Sequence, residues 1–131
     1  MRIIEITDNF KIGTSDQLTC SCCGEIKLND YFWYHMDRIQ ALRRRVGFPI
    51  AINSGYRCEE HNKSVGGAPK SLHRDFATDL NPNGQDRLKL LEAAAVDMEF
   101  DGIGFYNTFL HLDSRSYLGR DKARWDYRKT D

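Results

Sequence analysis

At 131 residues the chain has the size of one domain, expected to span 1–131, and can bury roughly two-thirds of its unfolded surface without obligatory staples. Nineteen Lys and Arg balance nineteen Asp and Glu, so no whole-molecule field draws it to nucleic acid or an anionic membrane. Nucleic-acid binding and membrane insertion are therefore set aside, and a monomer is the expectation.

The opening stretch from Met1 to Gly13 holds only a short apolar run broken by Glu5 and Asp8. That is neither a signal peptide nor a membrane span, and the expectation is a protein made soluble in the cytoplasm. Residues 3 to 6 alternate as a short strand would. Cys20, Cys22 and Cys23 follow in one cluster, with Cys58 further on. Three states fit them: a structural zinc on Cys20, Cys23 and Cys58, a disulfide from the cluster to Cys58, or reduced thiols.

From Tyr31 the apolar residues Phe32, Met36, Ile39, Leu42 and Val46 recur at helical spacing. They predict a helix over 31–46, capped by Asp30 and stopped by Gly47. Its aromatic start, Tyr31 to Tyr34, reads as core packing, because no basic groove accompanies it. The run Arg43-Arg44-Arg45 suits a solvated helix end. Pro49 to Asn53 is β-prone and predicts a buried strand that delivers Tyr56 and Arg57 to its end. Residues 58–62 predict a short helix in which His61 reads as a surface or structural residue, and Val65 to Pro69 form a loop. Asn81 to Gly84 mark a turn, and Leu88, Leu91, Ala95 and Met98 give a second helix its apolar face. Gly102 to Tyr106 and Phe109 to Asp113 then predict a hairpin through Asn107 and Thr108.

Two segments carry the chemistry. In Ser71 to Leu80 a histidine, His73, is followed by carboxylates after a short turn; in Phe109 to Asp113 a second, His111, sits in an apolar strand. Two histidines and one aspartate from separate segments make a catalytic zinc set with a fourth position open for water. On the second strand His111 and Asp113 share a face, since side chains alternate.

The ordered motifs Ser54-Gly55-Tyr56-Arg57, His61-Asn62, Val65-Gly66-Gly67, Ser71-x-His73, Ala77-x-Asp79 and His111-x-Asp113-x-Arg115 resemble the zinc D-Ala-D-Ala carboxypeptidases. Phage and bacterial peptidoglycan endopeptidases are grouped with them. The resemblance runs from the cysteine cluster to Trp125. It implies an α+β fold, a small antiparallel sheet with packed helices, shared in outline with the Hedgehog signalling domain. It also implies Zn2+ on His73, Asp79 and His111, and Arg57 reaching a substrate carboxylate or carbonyl, as a planar guanidinium can. Ser71 would bind substrate and position its neighbours by hydrogen bonds, or cap its turn. The family pattern SxHxxGxAxD is one residue longer than the segment here, the missing residue being the glycine itself, so zinc binding weakens or Asp75 takes the place of Asp79 if the shorter turn reverses its face. Thr108 stands where some members carry an acid, which leaves Asp113 as catalytic base or as the carboxylate that orients His111.

The function so implied is a zinc metallopeptidase acting on bacterial peptidoglycan stem peptides or crosslinks. Its setting would be that of a phage endolysin acting after lysis or as a virion component. The alternative is a non-catalytic cell-wall or protein-binding module that retains the fold. A third reading puts the cysteine cluster at the centre, as a redox or zinc-clip protein.

Overall fold

The computed structural model describes residues 3–129. Its longest element is helix α1, Asp30–Val46. The cap is Asn29 rather than Asp30: Asn29 is extended, and its side chain accepts the Phe32 N–H at 3.0 Å. Asp30 instead opens the first turn, where a carboxylate complements the helix dipole. Gly47 ends the helix at φ +76°, donating to Arg43 O. Of the four leading aromatics, Tyr31 and Phe32 are buried, whereas Trp33 and Tyr34 are 39% and 41% exposed. At about 100° per residue, four consecutive side chains surround a helix and cannot share one face. The arginines at the far end are solvated, with Arg44 pairing Asp8 and Arg45 pairing Asp97.

A two-residue hairpin precedes α1, made of β1 (Ile4–Glu5) and β2 (Lys11–Ile12). The main sheet contains β3 (Ala51–Ser54), β4 (Thr78–Asn81), β5 (Gly102–Phe105), β6 (Leu110–Asp113) and β7 (Ala123–Asp126), in the order β3-β4-β6-β5-β7. Three of its ladders are antiparallel, and the edge strand β7 lies parallel to β5. Helix α2 (Glu59–Ser64) follows β3, and α3 (Gln85–Asp97) joins β4 to β5. Asn62 in α2 ties down the glycine loop: its side-chain Nδ2 donates to Ala68 O at 2.8 Å, and its backbone carbonyl accepts the Gly67 N–H at 2.8 Å.

Strand periodicity divides the sheet into two surfaces. Ile52, Leu80, Leu110, Leu112 and Ile103 belong to the buried apolar cluster with Phe32, Met36 and Ile39 of α1 and Leu88, Leu91 and Ala95 of α3. Residues in alternation with these form the other surface, where Asp79 pairs with His111, Gly104 with both His111 and Trp125, and Gly102 with Asp113. One face of the sheet is therefore core, and the opposite face carries the chemistry.

His35 links the two layers. It is fully buried on α1, its Nδ1 lies 2.7 Å from Ser114 Oγ, and its Nε2 lies 3.0 Å from Thr78 Oγ1. Thr78 donates its hydroxyl to Leu112 O. It can then accept the His35 Nε2–H, leaving Nδ1 to accept from Ser114. The helix is thus bonded to the residues adjoining Asp79 and Asp113 in the chain.

Candidate metal centre and cleft

Three elements bring the sequence-predicted ligands together. His73 comes from a single 3-10 turn, Leu72–Arg74, whose cap Ser71 accepts the His73 N–H at 3.2 Å. Asp79 lies in β4 and His111 directly opposite it in β6. His73 Nε2 is 3.2 Å and His111 Nδ1 is 3.1 Å from Asp79 Oδ1, and the ligand atoms of all three lie within 4.8 Å of one another.

The shorter turn leaves Asp79 facing the histidines. Between Ser71 and Asp79 the chain makes its 3-10 turn, closes it with the Asp75 N–H on Leu72 O, and buries Phe76 and Ala77 before entering β4. Tyr31 Oη donates to Phe76 O at 2.9 Å and holds this passage. No residue from 71 to 80 has a positive φ, so the route needs no glycine. Asp75 is exposed and stands outside the ligand cluster.

The proton arrangement suits a cation. His73 Nδ1 lies 2.7 Å from Gly55 O, and His111 Nε2 lies 2.8 Å from Asp113 Oδ2. Each contact requires the imidazole to donate outward, so the lone pairs of His73 Nε2 and His111 Nδ1 turn toward the Asp79 carboxylate. Three acceptors converging in this way require a proton or a metal ion between them. Burial lowers the His111 pKa, but its contacts with Asp113 and Asp79 outweigh that and raise it. Burial likewise opposes ionisation of Asp79, yet both imidazoles hold its carboxyl well below the usual carboxylate range. Two imidazoles and one carboxylate with outer hydrogen bonds in place fit zinc.

Asp113 is fully buried behind His111 and does not line the cleft. Besides His111 it accepts from the Arg115 backbone N–H at 3.1 Å, Arg115 Nε at 2.9 Å and Arg115 Nη2 at 2.8 Å. Of its two expected roles, this geometry suits orientation of His111 rather than proton abstraction, because its oxygens are occupied and turned away from the cleft. Thr108 is exposed in the β5–β6 connection. Gly102 makes room for the arrangement, since a Cβ there would overlap the Asp113 carboxylate. Gly102→Ala is accordingly expected to displace Asp113 and weaken zinc binding about 10–100-fold, read by competition with a chromogenic chelator; unchanged affinity would remove Asp113 from this role.

A cleft of about 690 Å³ opens over the three ligands and is lined by Arg57, Ser71, Tyr106, Phe109, Arg120 and Trp125 among others. Arg57 follows β3, its backbone N–H donating to His73 O at 2.7 Å. Its Nη2 donates to Ser71 Oγ at 3.1 Å, so Ser71 both caps its turn and holds the guanidinium. Arg57 Nε is buried with no hydrogen-bond partner, and no carboxylate pairs with this side chain among the described residues. His61 remains outside the cleft, its Nε2 3.0 Å from Ser21 Oγ.

The motifs gave no role to Tyr106 or Trp125. Trp125 lies 5.0 Å from His111 between ring centroids, and its Nε1 donates to Tyr106 Oη at 3.0 Å. It fits because Gly104 has no Cβ to meet the indole. Two glycines two apart in a β-prone run, Gly102 and Gly104, were the available signal of close approach on one strand face.

The four cysteines also converge. Cys20, Cys22, Cys23 and Cys58 place their sulfurs within 4.8 Å of one another. This adds Cys22 to the three residues expected of a structural zinc.

A family model described as Peptidase M15 matches residues 13–113, a span that includes both clusters and Arg57 but not Trp125. No curated protein matches the chain.

Proposed function

Because this chain belongs to the Peptidase M15 family, whose members are zinc peptidases, we propose that it hydrolyses peptide bonds in the stem peptides or crosslinks of bacterial peptidoglycan. The observation that carries the substrate class is Arg57: a half-buried guanidinium beside the ligand cluster, with one N–H unpartnered and no carboxylate paired with it among the described residues. Such a group is suited to a carboxylate brought by the substrate. Stem peptides present carboxylates at their ends and side chains, and Lys70 and Arg120 line the same cleft.

His73 through Nε2, His111 through Nδ1 and Asp79 would hold the zinc, which when bound supplies Lewis acidity to water and to the scissile carbonyl. Gly55 O and Asp113 keep the two imidazoles in the ligating tautomers. Arg57 orients the substrate, with Ser71 fixing its fork. Tyr106 accepts from Trp125, so its own O–H remains free to donate into the cleft toward a developing oxyanion.

Zinc-loaded protein should release new amino groups or free D-alanine from peptidoglycan and isolated stem peptides, and lose that activity with chelator. Arg57→Ala should raise KM about 10–100-fold for a peptide with a free carboxylate and have less effect on its amide. Absence of cleavage from both peptidoglycan and stem peptides would overturn this proposal.

One observation favours a second reading, a binding module that retains the metal. Asp79 is the sole carboxylate among the described residues lining the cleft, leaving no second acid to accept a proton. Saturable binding to cell wall without product formation would support it.

A further inference from the structure

We infer that Cys20, Cys22, Cys23 and Cys58 form a second metal centre, a closed zinc tetrathiolate that is structural and separate from the His73/Asp79/His111 site. Four sulfurs about 2.3 Å from a tetrahedral ion lie about 3.8 Å apart. Here Cys22 Sγ is 3.5 Å from Cys20 Sγ and 3.4 Å from Cys58 Sγ, and all four lie within 4.8 Å of one another. Cys22 is thus nearly equidistant from two partners, as at the vertex of a tetrahedron, and no single disulfide pair is selected.

The backbone is shaped to present these thiols. Cys20 N donates to Glu25 O at 2.8 Å and Gly24 N to Cys20 O at 2.7 Å, closing a tight loop with Gly24 at φ +75°. The loop directs three cysteines toward Cys58, which lies across 35 residues of intervening chain from Cys22. Two amides already point at sulfur: Cys58 N at 3.5 Å from Cys20 Sγ, and His61 N at 3.4 Å from Cys58 Sγ. Amide N–H groups directed at sulfur stabilise thiolate, the form that binds metal. Four protein ligands leave no open position, which makes the centre structural rather than catalytic.

Its place in the fold gives it a task. The segment before the loop docks along β3, with Gln17 N on Ile52 O at 2.9 Å and Tyr56 N on Leu18 O at 3.0 Å. Cys58 immediately follows Arg57, whose amide is bound to His73 O. The tetrathiolate therefore fastens the corner that presents Arg57 to the cleft.

The test is metal content, which does not depend on hydrolysis. Full-length protein prepared under reductant with zinc should carry about two ions per chain, falling by one in His73→Ala/His111→Ala and by one in Cys22→Ser/Cys23→Ser. Cobalt added to metal-free His73→Ala/His111→Ala protein should give sulfur-to-cobalt charge-transfer absorption, and its cysteines should resist iodoacetamide until the metal is removed. That cysteine-intact protein decides the matter if the serine variant does not fold. The inference is overturned if it binds no metal and all four thiols react freely, or if a disulfide persists under reductant. Loss of zinc from this centre would leave the peptidase reading standing, and absence of peptidase activity would leave this centre standing.

Discussion

Alanine at His73 or His111 is expected to lower peptide hydrolysis about 10³-fold or more and to remove the zinc bound between them. The reason is the ligand count. His73 Nε2, His111 Nδ1 and Asp79 Oδ1 are the three convergent donors, and two donors hold zinc too weakly to keep it at working concentrations. A Lewis acid contributes several kcal/mol to such a reaction, and about 4 kcal/mol corresponds to about 10³ in rate. Asp79→Asn should behave similarly, since it keeps the shape but removes the charge that balances the ion. Asp113→Asn should be milder, about 10–100-fold in metal affinity, because it disturbs the outward bond of His111 and the Arg115 pairing behind it but removes no ligand. Steady-state kinetics on a stem peptide beside metal analysis of each variant provides the measurement. Hydrolysis undiminished in a zinc-free His111→Ala protein would defeat the mechanism.

His35→Ala should destabilise the fold by about 3 kcal/mol, combining an unfilled cavity with a buried Ser114 hydroxyl that loses its partner, while Thr78 keeps its bond to Leu112 O. The loss falls on the support of the site, because His35 bonds Thr78 and Ser114, the chain neighbours of Asp79 and Asp113. A pH effect accompanies it. Burial among the rings of Phe76 and Phe100 lowers the His35 pKa to about 3, with the Asp113 charge opposing only in part. The unfolded chain, with an ordinary histidine near pH 6.5, therefore takes up the proton first. The contribution is fully present above about pH 6.5 and is lost as pH falls from there toward 3. Between pH 6.5 and 5 the wild type should lose about 2 kcal/mol more than His35→Gln. Urea unfolding of both proteins at the two pH values checks the sign; equal losses would show that His35 is not the responsible group.

Much of this organisation is legible in the amino-acid order. The spacing of Phe32, Met36, Ile39 and Leu42 predicted α1, and the structure moved only its cap, from Asp30 to Asn29. The hairpin of β5 and β6 and the placement of Arg57 after β3 also followed from local pattern. These features depend on neighbours within about one helical turn or on strand alternation, and a sequence records both directly.

What the amino-acid order determined by itself was the chemical inventory and the local elements: two histidines and an aspartate in β-prone or turn segments, an arginine at a strand end, and four cysteines. Whether Asp75 or Asp79 faces the histidines was decided by the antiparallel register of β4 on β6, which the spacing of one segment cannot reveal. Tertiary structure likewise placed Asp113 behind His111, brought Trp125 against that ring through the parallel pairing of β7, and joined Cys58 to the loop at Cys20. Each is a contact between distant segments. Such contacts arise from sheet pairing and burial of a shared core, so the residues involved acquire their roles only when the chain is folded.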